Sequence, residues 1–288
     1  MIKNIRRGTC LEKARGNGVP FSMRQEIFWH PNLNYSRKGM VFDMTEKVLY
    51  EELCPMEFEK RVAECPVAYL PLGTLEWHGP HMPLGADGIQ SQELFVRVAR
   101  KVGGVVLPKL FLGPDRFYHD DSKEFYGMDI YTGGTVVPYE TGRLPGSAYW
   151  QPDKEYQDMI YRIAGNLARA GIHVLVGHGH GPSTWQFADM KERLKEAFGL
   201  ECCTAFDFLE DEQLGFQCDH AAANETSIVM AVRPELVQME RIVSGKEAPV
   251  AIAGRDPREH ASPEYGRRVL EENVRAMSEG LARILQGK

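Results

Sequence analysis

Two short apolar runs, VAYLPLG (67–73) and IHVLVG (172–177), constrain this chain more than any other feature. Each ends in glycine, and neither alternates polar with apolar residues. Runs of this length suit strands covered on both faces, as in parallel sheets flanked by helices. VVLPKL (105–110) and LECCTAF (200–206) read as two further strands. Helical spacing fills the segments between and around them: 55–65, 88–104, 153–171, 184–199, 224–237 and 262–286. Strands alternating with helices imply an α/β fold, with a mostly parallel sheet and helices on both faces.

A chain of 288 residues buries a substantial core. The expected organisation is an N-terminal arm over 1–40 and a single domain over 41–288, with a loop insertion around 113–150. That stretch is too long for a simple connection and reads as a functional loop or lid. The net charge of −6 argues against a nucleic-acid partner, because no broad basic field appears. The arm is the exception, with eight Lys/Arg against two Asp/Glu, and reads as a solvated or subunit-packing segment. No run of about 18 apolar residues exists, so no membrane partner is expected. The basic N-terminus lacks the apolar stretch of a signal peptide. The six cysteines have no CxxC spacing and read as reduced thiols of a cytoplasmic protein, not a zinc-thiolate site.

Ligand-type residues gather where the strands end. LPLGTLEWHGPHMPLGAD (70–87) puts Glu76 and His78 just past the first strand, and Asp87 near the start of the next helix. Glu-x-His in an extended segment projects both side chains to the same side. VLVGHGHGP repeats that spacing with His178 and His180, among glycines that let the backbone approach closely. Ligands of such folds bind at the carboxyl ends of the strands. Carboxylate with imidazole suits Zn²⁺, Mn²⁺ or Fe²⁺. Glu76, His78, Asp87, His178 and His180 are enough for two divalent metal ions. A carboxylate at Asp87 can bridge them, its charge partly offset by the helix N-terminus. A single histidine here would read as an ordinary core or surface residue; the combination does not. CDHAAANETSIVM (218–230) adds His220, a candidate general acid/base over the metals. Glu225 in the same segment is either a helix N-terminal charge or a group at the edge of the ligand set. Trp77 lines the pocket or packs beneath it. In the long loop, His119 is a candidate substrate contact. Tyr118, Asp120, Asp121, Tyr126 and Tyr131 offer hydrogen bonds to a polyhydroxylated ligand, or form a structured surface loop.

LPLGTLEWHGPHMPLGAD, LVGHGHG and DHAAANETS, in this order and spacing, resemble the creatininase (creatinine amidohydrolase) superfamily from about Glu46 to the C-terminus. The resemblance implies a three-layer α/β/α sandwich around a dinuclear site. It implies that Glu76 and His178 hold one metal, that His78 holds the other, and that Asp87 bridges them. It also implies a closed homo-oligomer, for which the arm is a candidate strap. The family's Pro-Gly turn with hydroxyl residues is similar to LPGSAYW (144–150), which makes Ser147 a candidate substrate contact. Aligned in this way, creatininase has glutamate at the position of His180, and many relatives have glycine. The loss of a carboxylate leaves a more electropositive site unless Glu225 enters it, and puts creatinine itself in doubt as substrate.

The expected reaction is opening of a small cyclic substrate by attack of metal-bound hydroxide on a carbonyl, foremost at the C–N bond of a cyclic amide. His220 would return the proton to the leaving group. The alternatives are C–C ring opening of a cyclic polyhydroxy diketone in carbohydrate or inositol breakdown, and a non-catalytic metal-binding homologue.

Overall fold

VAYLPLG forms strand β1, Val67–Leu72, buried at all six positions. The structure is a computed structural model that describes residues 47–120, 123–130, 144–208, 214–242 and 250–287. The arm expected over 1–40, with Asp121 and Tyr131, lies outside the described residues. Parallel partners flank β1: β2 (Val105–Val106) on one side, β5 (Val174–Gly179) on the other, and β6 (Glu201–Cys203) beyond β5. The sheet order is β2-β1-β5-β6.

Side chains alternate across this sheet, and each face is covered. Val67 and Tyr69 of β1, with Val174 and Val176 of β5, face α2 (Ala86–Val102), α6 (Ala223–Val232) and α8 (Pro263–Leu285). Ala68, Leu70 and Leu72, with Leu175, face α1 (Pro55–Glu64), α3 (Asp153–Arg169), α4 (Gly181–Asp189) and α5 (Lys191–Phe198). This is a three-layer α/β/α sandwich. Each fully buried Val, Leu or Ile contributes about 1.5–3 kcal/mol to holding the layers together. Among the described residues, no helix is long and apolar enough to cross a membrane.

Several boundaries differ from the sequence reading, among them the strand expected over 200–206, regular only at Glu201–Cys203, and the helix expected over 224–237, which ends at Val232 before Pro234. The strand expected over 105–110 is regular only at Val105–Val106, because Pro108 has no N–H to give the ladder. The chain still follows β1, with Leu107 N–H donating to Tyr69 O and Leu110 N–H to Pro71 O. The single helix expected over 184–199 is two, broken at Met190, so that Phe187, Met190 and Leu194 enter one core. The insertion over 113–150 contains a hairpin, β3 (Phe117–Asp120) with β4 (Lys123–Tyr126). Finally, β5 runs two residues further than expected, because Pro71 and Leu72 of β1 pair with His178 and Gly179.

That extension sets a tight contact. Gly179 has φ of 152°, and a Cβ there would overlap the carbonyl oxygen of Leu72. Relief would require β1 and β5 to part where they carry the ligand-type residues. Gly179→Ala is therefore expected to destabilise the fold by about 1–3 kcal/mol or more, measured by urea denaturation. Gly199→Ala is the control: its Cβ meets nothing, so the cost is confined to its left-handed φ of 71°.

Candidate metal centre

The loop from β1 to α2 delivers the first group of ligands. Glu76 is fixed by its own backbone, whose N–H donates to Leu84 O at 3.1 Å. Gly79, with φ of 64°, turns the chain directly after His78. Asp87 sits in the first turn of α2, where the helix dipole favours a negative charge. From the second strand end, His180 is the residue that precedes α4, and its N–H donates to Leu72 O. A third wall comes from the segment before α6. There Asp219 accepts from the N–H groups of Asn224 and Glu225, closing the open end of that helix. His220 is bridged to Ala253, and Gln217 and Ala221 hold left-handed φ values of 52° and 53°. Such conformations at non-glycine residues cost about 1–3 kcal/mol each and gather at functional sites.

These elements bring six side chains together. Three groups of ligand atoms lie within 4.8 Å of one another: Glu76–His78–His220, Glu76–Asp87–His180 and His78–Asp87–Glu225. Asp87 joins the last two. Its Oδ1 lies 3.3 Å from His78 Nε2, and its Oδ2 lies 3.3 Å from His180 Nδ1. Glu76 Oε1 is 2.9 Å from His180 Nδ1, and Glu225 Oε2 is 3.8 Å from His78 Nε2.

Each of the three imidazoles has its other nitrogen on a backbone carbonyl. His78 Nδ1 meets Glu76 O at 3.2 Å, His180 Nε2 meets Pro114 O at 3.0 Å, and His220 Nε2 meets Trp77 O at 2.9 Å. A carbonyl can only accept, so the contacting nitrogen carries a hydrogen, and the inner nitrogen offers its lone pair to a cation once any proton there is displaced. Imidazole ligands of metals are held in this manner. His78 Nε2 and Asp87 Oδ2 are buried without hydrogen-bond partners. The donor set is carboxylate and imidazole throughout, which fits a divalent cation such as Zn²⁺ or Mn²⁺.

Charge follows the same geometry. Burial opposes ionisation of Asp87, but His78 and His180 hold it well below the usual carboxylate range. Glu76 is lowered too, with His180 and His220 overcoming its burial. Burial disfavours the His78 imidazolium, yet Asp87, Glu225 and Glu76 raise it to about 10. Glu225 goes the other way, well above its ordinary value, through burial and the Asp87 charge. Burial, with Glu76 close by, pushes Asp115 up to about 7. The cavity lined by Glu76, Asp87, Asp115, His180, His220 and Glu225 measures about 340 Å³ and also admits Trp185, Met128 and Gln217.

Some expected site residues lie elsewhere. His178 joins none of the groups among the described residues. It continues the face of β5 that carries Val174 and Val176, lies edge-on to Phe206, and has Nε2 at 3.2 Å from Phe216 O. Burial lowers it to about 4, so it is a neutral residue beneath the site. The imidazole beside Glu76 and Asp87 is His180. The third carboxylate is Glu225. Trp77 is buried in a small cluster with Met128 and Leu144, and its backbone N–H donates to Ser147 Oγ at 3.1 Å. Ser147 thus supports the loop from behind and does not line the cavity. Tyr118 and His119 are exposed on β3, with Tyr118 against Phe125. Tyr126 packs on Trp150. His81, read as a turn or supporting residue, meets Thr226 Oγ1 at 2.9 Å and ties the loop to α6. Asp115 and Asp219 were not singled out. The Gly-Pro-Asp turn at 113–115, past the second strand, was the available signal for Asp115.

Comparison with known proteins matches residues 51–281 to the family described as Creatininase: Creatinine amidohydrolase. A creatinine amidohydrolase of Pseudomonas putida is 28% identical over 220 residues, covering 69% of this chain and 77% of that protein. A crystal structure of creatinine amidohydrolase (creatininase) superposes with a TM-score of 0.63 at 24% identity, over 83% of this chain and 98% of that one. A structure named Creatininase Mn has a TM-score of 0.60 at 25% identity, over 82% and 98% of the two chains. The Zn-Zn type of a mutant creatininase gives 0.59 at 25% identity, with the same coverage.

Two measurements test the centre. His180→Ala is expected to lower bound metal and His178→Ala to leave metal in place while lowering thermal stability, read by elemental analysis and melting; the reverse would move the ligand back to His178. Metal binding must also displace the proton that His78 holds up to about pH 10. Apparent affinity is therefore expected to rise as pH rises from 6 towards 10, by about tenfold per pH unit for each proton displaced, with proton release in calorimetry.

Proposed function

The chain belongs to the creatininase family, and from that premise we propose that it is a metal-dependent amidohydrolase that opens a small cyclic amide. The observation that carries the reading is Asp87, buried, with one oxygen towards His78 and the other towards His180. Glu76, Asp87 and His180 would hold one divalent cation; His78, Asp87 and Glu225 would hold a second. Cations there would polarise a substrate carbonyl and lower the pKa of a water from about 15.7 towards about 7. Glu225 supplies the negative charge that His180 lacks, once its proton is displaced.

His220 is the group for proton movement. Its Nε2–H is committed to the Trp77 carbonyl, so Nδ1 is left facing the cavity, 3.8 Å from Glu76 Oε1. Burial and His78 lower its pKa, so it begins neutral and can take a proton at Nδ1 and pass it to a leaving nitrogen. The ring of His78 lies 4.4 Å from that of His220 and limits its rotation. Asp115, held partly protonated beside Glu76, faces the same space.

Support for C–C ring opening rested on the loop tyrosines and on the alignment at His180. Tyr118 and His119 do not line the cavity, and the matched family is described as creatinine amidohydrolase, so amide hydrolysis is the reading retained. Protein loaded with Mn²⁺ or Zn²⁺ is offered a panel of cyclic amides and cyclic polyhydroxy ketones, and products gaining one water are sought by mass spectrometry. Addition of water across an amide is expected. Glu76→Gln should lose metal and turnover together, whereas His220→Ala should keep metal and lose about 10²–10⁴-fold in rate. Loss of metal in His220→Ala would make His220 a ligand instead.

A further inference from the structure

Beside the metal cavity lies a second, larger one of about 700 Å³, and Asp115, Arg116, Pro182 and Trp185 line both. A space of about 300 Å³ or more holds a ligand, so each is large enough for part of one. A small cyclic amide at the metal centre would leave the second cavity empty. We propose that this antechamber binds a polyhydroxylated ring, a glycosyl or cyclitol group, carried by the substrate. The inference rests on the hydrolase reading above.

The lining supports this class over a plain aromatic or aliphatic tail. Phe117 and Trp150 stack at 5.9 Å between centroids, and Tyr126 backs Trp150 at 5.1 Å, giving a broad aromatic wall. Trp185 is 53% exposed, a large aromatic surface for a single residue. Aromatic faces carry negative charge and attract the slightly positive C–H groups on the face of a saturated, oxygenated ring. Between these faces stand polar groups. Gln186 Nε2 donates to Asp153 Oδ2 at 2.9 Å and its Oε1 accepts from Gln157 Nε2 at 2.5 Å, which fixes these side chains, while among the described residues Asp153 is hydrogen-bonded through Oδ2 and not Oδ1. An aryl group would strip water from Asp153 and Gln186 and return no hydrogen bonds, a cost for each polar group. Hydroxyls around a ring edge would donate to Asp153 and accept from the remaining Nε2 hydrogen of Gln186, while the ring face lies on tryptophan. Because Trp185 and Arg116 belong to both spaces, such a group reaches the antechamber with the amide still at Asp87.

Calorimetry on manganese-loaded full-length protein tests this with three hydroxamates. Acetohydroxamate probes the metal centre alone, a second carries a glucopyranosyl tail, and a third carries a phenyl tail of similar reach. The glucopyranosyl compound is expected to bind about tenfold tighter than acetohydroxamate, or more, and tighter than the phenyl compound. In Trp150→Ala, and separately in Gln186→Ala, the ratio of glucopyranosyl to acetohydroxamate affinity is expected to fall towards one. Two variants from different walls guard against one that fails to fold. Equal binding of the glucopyranosyl compound and acetohydroxamate overturns the inference and leaves the hydrolase reading standing. A gain confined to the phenyl tail overturns it also, in favour of an aryl occupant. If acetohydroxamate itself does not bind, the metal reading falls and takes this inference with it.

Discussion

A carboxylate buried with each oxygen turned to a different imidazole is the contact on which the rest of this structure depends. Asp87 is 3% exposed, and an ionised carboxylate taken out of water is costly unless partners surround it. His78 and His180 supply those partners, and they arrive from the ends of different strands. The two imidazoles can flank one aspartate only if β1 and β5 keep their register up to Leu72 and Gly179. Glycine at 179 allows that last pairing, since any side chain would meet the Leu72 carbonyl. The first turn of α2 then presents Asp87 with a helix N-terminus behind it. Gln217 adds a hydrogen bond to the same carboxylate at 3.3 Å, tying the wall before α6 to the centre.

Precision around this contact comes from the backbone. Three carbonyls, those of Glu76, Pro114 and Trp77, each orient one imidazole. Only one of these, that of Glu76, is close in sequence to the ring it holds. The others depend on the long insertion and on the bridge between His220 and Ala253. Strained φ values at Gln217 and Ala221 are tolerated because α6 packs on α8 and α2 through a core of wholly buried residues. The same device separates supporting from reacting groups: Ser147 and His81 hold the loop, and Glu76, Asp87 and Glu225 face the cavity.

Much of this was legible in the residues. Apolar runs without alternation marked β1 and β5, because a strand covered on both faces has no polar side to display. Glycine stops and amphipathic spacing marked α2, α3 and α8. Glu76, His78, Asp87 and His180 stood out because ligand-type side chains at strand ends are rarely there by accident. The repeat in GHGHG left the choice between two histidines open. Residues two apart in a strand share a face, so spacing alone could not say which histidine reaches the centre. His178 is still within β5 and continues the hydrophobic face towards Phe206 and Phe216. His180 is just past the strand and turns inward at the start of α4. Tyr118 stands exposed on β3 and Tyr126 packs on Trp150, and composition does not tell the side on which a hairpin shows such residues.

The sequence by itself determined the α/β class, the parallel sheet, the family and the kinds of atom available to a cation. Those follow from periodicity and from local chemistry, which are written along the chain. Tertiary structure decided which atoms meet. Glu225 and Asp115 lie 149 and 39 residues from Glu76 along the chain and come to it only when α6 and the insertion pack against the strand ends. The pairing of the two cavities was likewise absent from any local pattern, because Phe117, Trp150 and Trp185 belong to three separate segments. Contacts over such separations are set by how layers stack, and stacking is a property of the whole fold.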